Sequence, residues 1–177
     1  MEKTRLISVV GKKHCGKTTL VVALAAEFTR QGKRVGTLKH GTHPANVDHE
    51  GTDTWRHFNE GLAERVLIES SGQRVLFQRL QEESGPVALA RQFMVGTDIV
   101  IAEGFTRYTV PKIEVFRSVE HDKPHFDPSR SNAADWCVMI TDGDAGAYPF
   151  PTLKFSDTAW LVTLSKMAWH HAMIVEE

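Results

Sequence analysis

Residues 11–18, Gly-Lys-Lys-His-Cys-Gly-Lys-Thr, set two glycines, a lysine and a hydroxyl at the spacing G-x-x-x-x-G-K-[ST]. That spacing suits a nucleoside triphosphate. Gly11 and Gly16 allow backbone conformations that turn amide N–H groups around phosphate oxygens, and the helix that follows offers its positive end to the same anion. Lys17 adds a point charge at the β and γ phosphates, and Thr18 offers a hydroxyl to Mg²⁺. Lys12, Lys13, His14 and Cys15 supply the intervening backbone, with side chains that the spacing does not require, and Thr19 continues into the helix.

A phosphate cradle of this kind needs a carboxylate at the end of a neighbouring strand to hold Mg²⁺. Glu103 follows the apolar run Ile99-Val100-Ile101-Ala102, so it emerges at a strand's C-terminal end, where open α/β sheets bind ligands. Asp98 begins the same run and belongs at the opposite end, as a turn residue. For the base, 141-TDGD-144 follows a late strand and partly matches the Asn/Thr-Lys-x-Asp segment that accepts from guanine. Asp142 stands where that segment has lysine, and an Asp-Gly turn accounts for Asp142 and Asp144 as readily. Asp53 opens a helical stretch and is a carboxylate for Mg²⁺ or water, or simply a favourable charge at a helix start.

The elements that must position these residues follow from pattern. Residues 5–10 read as a buried strand, 17–31 as an amphipathic helix stopped by Gly32, and 34–39 as a second strand, together a right-handed βαβ unit. A polar loop over 40–51 leads to a short helix near 52–60, and 65–69 and 74–78 flank a hairpin turn. Pro86 opens a helix ending near Met94. Strands follow at 98–104, 112–116 and 136–140, with a long loop over 118–135. A last helix starts near Ser156 or Asp157 with Trp160, Leu164, Met167 and His171 on one face. The expected class is α/β: a mainly parallel sheet flanked by helices with added antiparallel hairpin strands, in a single nucleotide-binding domain over residues 1–177.

Composition narrows the partners. With 41% apolar and 24% charged residues the 177-residue chain reads as an ordinary globule, and its formal net charge of -1 provides no basic field for nucleic acid. Neither a membrane span nor a signal peptide is expected, and the two isolated cysteines fit a reducing, cytoplasmic setting. Five of the nine histidines fall between positions 14 and 57. His40, His43, His49 and Asp48 could form a metal site, but their spacing matches no closed zinc pattern, and a polar loop near phosphates tolerates histidine. The pairs His121/His125 and His170/His171 read as surface or helix-face residues. Lys39, Arg107, Lys112 and Arg117 are basic groups near the ligand edge of the sheet, suited to an anionic ligand or simply solvated strand-flanking charges.

Taken together, GKKHCGKTT, VGTLKHGTH with Asp48, Gly51, Asp53, Thr54 and Arg56 after it, DIVIAEGF and 111-PKIEVFR-117 resemble the molybdopterin-guanine dinucleotide biosynthesis adaptor (MobB) family of P-loop proteins. The resemblance covers residues 5–117 in the family's order. It implies a cytoplasmic homodimer that binds GTP and Mg²⁺ with weak GTPase activity. It also implies a partner, a MobA-like molybdenum cofactor guanylyltransferase that attaches GMP to molybdopterin. On that reading Gly16, Lys17, Thr18 and Glu103 hold phosphate and Mg²⁺, Asp53 and Glu103 serve hydrolysis, and the nucleotide state orders residues 40–56. Lys12 departs from the family pattern. A lysine there marks a related dimeric class, in which it reaches the partner's nucleotide; here it is that, or local positive charge. The alternatives from other classes are a metal-insertion GTPase and a small-molecule kinase using the same cradle. A kinase lid would need arginines, and residues 118–135 hold only Arg130.

Overall fold

The computed structural model describes residues 3–41, 47–144, 146 and 148–176. It divides into two compact units, Met1–His40 with Gly85–Glu177, and Gly41–Ser84.

In chain order the elements are β1 (Arg5–Val10), α1 (Lys17–Arg30), β2 (Val35–Lys39), α2 (Asp53–Asn59), β3 (Arg65–Ser70), β4 (Gln73–Gln78), α3 (Pro86–Phe93), β5 (Ile99–Glu103), β6 (Lys112–Phe116), β7 (Trp136–Thr141), β8 (Thr152–Lys154), α4 (Trp160–His171) and β9 (Met173–Ile174). The first unit is built on a sheet ordered β2-β5-β1-β6-β7-β8, parallel throughout, with β9 pairing antiparallel to β1. The near-continuous apolar runs of β1 and β5 follow from burial on both faces, as parallel sheets require, and β6 is buried along its length although it carries Lys112 and Glu114. Ile7, Val9, Ile99, Ile101, Ile113 and Val115 face α1 and α4, meeting Leu24, Phe28, Leu164 and Ala168. Leu6, Val100 and Ala102 face the other way, toward Ala90 and its α3 neighbours.

Turn chemistry fixes the ends. Gly32 sits at φ 78 just past α1, and Lys33 N–H bonds Phe28 O while Gly32 N–H bonds Thr29 O, a Schellman closure. Asp98 stands at the N-terminal edge of the sheet, where its carboxylate accepts from Arg34 N (2.6 Å) and Arg34 Nη2 (3.0 Å). Those bonds hold its pKa below the ordinary 3.8, and its role as a turn residue is as expected.

Three details differ from the sequence reading. The last helix begins at Trp160, because the Asp157 carboxylate instead accepts from Lys154 N (2.7 Å) and closes a separate turn. Its buried side is Leu164, Ser165 and Ala168, and His171 is exposed. The short strands β8 and β9 are additional. Residues 118–135 are a loop except for a 3-10 turn at Ala133–Asp135.

In the second unit Thr52 caps α2, accepting from Trp55 N at 3.2 Å. Strands β3 and β4 pair antiparallel around Ser71-Gly72, with Gly72 at φ 82. Phe58 of α2 meets Phe77 at 6.2 Å between ring centroids, and Val66 is buried. No helix among the described residues is long and apolar enough to cross a membrane.

Candidate nucleotide site

The segment 11–18 joins the C-terminal end of β1 to the N-terminus of α1, in the middle of the sheet. Three residues of the turn take left-handed backbone: Gly11 (φ 147), His14 (φ 64) and Gly16 (φ 88), the last at the N-cap of α1. Among the described residues, no protein acceptor takes the amide N–H of Lys13, His14, Gly16, Lys17 or Thr18. A concave run of unsatisfied amides at a helix N-terminus is an anion cradle. Lys17 Nζ donates to Lys12 O at 2.7 Å, curled over the same turn.

Gly11 is required for space as well as backbone. A Cβ there would lie 2.5 Å from Val115 O, a backbone atom of β6, whereas a Cβ at Gly16 meets nothing within 4 Å. Gly11→Ala is therefore expected to destabilise the fold by roughly 2–4 kcal/mol and Gly16→Ala by roughly 1–2 kcal/mol. Thermal unfolding of the two variants checks this; equal melting temperatures would contradict it.

Glu103 ends β5 and is 8% exposed. Both its carboxylate oxygens accept from Thr18 Oγ1 at 2.9 Å, and Lys39 Nζ lies 3.1 Å from Oε1. The register explains the meeting: Val9 of β1 and Lys39 of β2 both pair with Glu103, so all three chains end at one edge. A hydroxyl and a carboxylate in contact beside unsatisfied amides fit Mg²⁺, which keeps water and phosphate as its other ligands. Gly104 turns away at φ 93, its would-be Cβ 3.3 Å from the His40 Cβ.

Several residues are placed otherwise than the sequence suggests. Cys15 is 1% exposed and belongs to the core beneath the cradle, so its side chain matters as much as its backbone. Lys112 is fully buried and is no surface group for an anionic ligand. Its Nζ donates to Tyr108 O, Val110 O and Asp135 Oδ2 (2.7, 2.9 and 2.9 Å), and burial lowers its pKa. His125 is half-buried rather than on the surface. Its ring lies 6.3 Å from that of Trp136, and burial, then Arg130, Lys12 and Lys17, lower its pKa. Glu114 is fully buried beside β7, accepting from Trp136 Nε1, Phe126 N and His125 N. Burial pushes its pKa up against the pull of those donors.

Lys39 is engaged with Glu103, and Arg117 with Asp142 (Nε to Oδ2, 2.6 Å); Arg107 is exposed. Asp142 also accepts from Ser118 N and Oγ, whereas the Asp144 side chain is fully exposed, with Lys154 Nζ 3.7 Å away. Thr19 is exposed on the first turn of α1. The Lys12 side chain borders an open cleft of about 330 Å³ with Glu120, His121, Asp122 and Lys123. His121 is the contact that sequence reasoning missed: Nε2 lies 2.7 Å from Lys13 O across 108 residues of chain.

In the second unit Asp53 opens α2 and lines a polar cleft of about 400 Å³ with Arg56, His57, Glu60 and Gly61. Arg56 Nε bonds Glu60 at 2.9 Å. Asp48 accepts from Thr52 Oγ1 (2.7 Å) and His49 N (3.0 Å), bracing the helix cap. Among the described residues no group of three or more His, Cys, Asp or Glu is arranged to hold a metal ion. His43 lies outside the described residues, as do 42 and 44–46 of the loop expected to order with nucleotide.

A sequence profile for molybdopterin guanine dinucleotide synthesis protein B matches residues 6–142, from the first strand through Asp142. The chain belongs to the MobB family. It is 35% identical over 123 residues to a molybdopterin-guanine dinucleotide biosynthesis adapter protein of Haemophilus influenzae, covering 67% of this chain and 66% of that one. The adapter protein of Escherichia coli is 28% identical over 115 residues, covering 62% and 63%. The matches thus span slightly less than two thirds of these relatives. Solved MobB structures share the fold over nearly the whole chain. A MobB homologue from Bacillus stearothermophilus superimposes with TM-score 0.65 and 24% identity, covering 92% of this chain and 97% of that one. Bacillus subtilis MobB gives TM-score 0.66 and 20% identity, with the same coverage.

Proposed function

We propose that this protein is a GTP- and Mg²⁺-binding adapter of molybdenum cofactor biosynthesis. In this role it assists a MobA-like guanylyltransferase in joining GMP to molybdopterin. The observation that carries the reading is the Thr18–Glu103 contact beside the unsatisfied amides of the cradle, in a chain whose relatives are named for that pathway. Gly11 to Thr19 hold the triphosphate, with Lys17 leaving Lys12 O to meet the β and γ oxygens. Thr18 and Glu103 hold Mg²⁺, which neutralises charge on those oxygens.

Asp144 is the carboxylate proposed to accept from the guanine edge, since Asp142 already accepts three hydrogen bonds. For Asp53 the support is the sequence resemblance, and its part in hydrolysis is proposed on that ground. The protein works as a cytoplasmic homodimer with weak GTPase activity. Glu103 contacts Thr18 of the cradle, and His121 Nε2 is engaged with Lys13 O, which suits slow hydrolysis. Titration calorimetry with GTP and ATP, each with Mg²⁺, tests the nucleotide. Tighter binding of GTP is expected, and equal or tighter binding of ATP would overturn the guanine assignment.

A further inference from the structure

The segment from Arg117 to Phe126 leaves the C-terminal end of β6 and passes beside the cradle, fixed at three points. At its start the Asp142 carboxylate accepts from Arg117 Nε (2.6 Å), Ser118 N (2.7 Å) and Ser118 Oγ (3.0 Å). At its end the buried Glu114 accepts from the amides of His125 and Phe126, the latter at 2.8 Å, and from Trp136 Nε1 at 2.8 Å. Between these anchors His121 Nε2 lies 2.7 Å from Lys13 O. A carbonyl oxygen only accepts, so the imidazole carries a proton on Nε2 and donates it.

The Lys13 carbonyl and the His14 N–H belong to one peptide unit. That unit is trans, as are all peptide units among the described residues, so its two polar groups point in opposite directions. Fixing the carbonyl on the strap side therefore aims the His14 N–H away from the strap, and no protein acceptor meets that N–H among the described residues. His14 also sits at φ 64, a backbone region unfavourable for a residue with a Cβ. Surrounding contacts must hold it there: Cys15 is buried in the core on one side, and the His121 hydrogen bond fixes the peptide unit on the other.

We propose that His121, carried on a strap pinned by Asp142 and Glu114, is a positioning residue that holds the phosphate cradle with the His14 amide turned to the anion. The inference rests on the nucleotide-binding reading. It assigns Asp142 to the strap rather than to the base, and it makes the effect independent of which base is bound.

The test is titration of wild type and variants with Mg²⁺ and three probes: GTP, ATP and inorganic triphosphate, which has no base. His121→Ala is expected to lower affinity for all three by about tenfold, the loss of one hydrogen bond's worth of preorganisation. His121→Gln, whose carboxamide N–H can reach the same carbonyl, is expected to recover most of it. Asp142→Ala, which frees the start of the strap, should lower all three alike. Unchanged affinity in His121→Ala, no recovery in His121→Gln, or a loss in Asp142→Ala confined to GTP would each overturn the proposal. A wild type that binds none of the probes would instead sink the nucleotide reading. The strap is then judged on the amide spectrum of the ligand-free protein. His121→Ala should shift the His14 resonance and His121→Gln restore it, and an unmoved His14 resonance would overturn the strap.

Discussion

Lys17→Ala is expected to abolish measurable binding of Mg-GTP at concentrations that saturate the wild type. Lys17 Nζ donates to Lys12 O, within the turn it would share with phosphate. Its charge-assisted bonds to two phosphate groups are together worth about 3 kcal/mol or more, a loss of at least roughly a hundredfold in affinity. The fold should survive, because Lys12 is only half-buried and water can replace the lost donor at its carbonyl. Calorimetric titration alongside a melting curve checks both halves. Wild-type affinity in a folded Lys17→Ala protein would mean that residues 11–18 are not the nucleotide site.

Glu103→Gln should uncouple the nucleotide from its metal. The carboxylate meets Thr18 Oγ1 through both oxygens and Lys39 through one, so its neighbours are the hydroxyl proposed to bind Mg²⁺ and a counter-charge. The substitution keeps the shape and removes the charge. Affinity for metal-free GTP is expected to hold or rise slightly, since a negative group near the phosphates is gone. The gain in affinity on adding Mg²⁺ should largely vanish, and the slow hydrolysis should fall by roughly a hundredfold, the scale on which removing one preorganised electrostatic group acts. Stability should change little, because Lys39 is 64% exposed and stays solvated without its partner. GTP titrations with and without Mg²⁺ and a single-turnover assay measure these effects. A full Mg²⁺ dependence in Glu103→Gln would remove Glu103 from the site.

The cradle and its acid were legible in the sequence for physical reasons. Gly11, Gly16, Lys17 and Thr18 act at fixed local spacing, so their geometry travels with the chain. Glu103 was legible because the run Ile99 to Ala102 is wholly apolar, and the first polar residue after it falls at the sheet edge. Long-range partners were not legible. Lys112 reads as a solvated strand-flanking charge until Asp135 and two carbonyls, brought by the fold, take its three protons. His121 and Glu114 likewise acquire meaning only through contacts with Lys13 and with residues 125, 126 and 136. Strand β8 escaped notice because three residues are too few to show a period, and α4 started late because Asp157 found a nearer amide to cap.

Reconstitution tests an adapter role in guanine dinucleotide formation most directly. Purified guanylyltransferase, molybdopterin, Mg²⁺ and GTP would be incubated with this protein, with its Lys17→Ala variant, or with neither, and molybdopterin guanine dinucleotide measured over time. A faster or larger yield with the wild-type protein, lost with Lys17→Ala, is the predicted result. A yield that the wild-type protein leaves unchanged would contradict an adapter role.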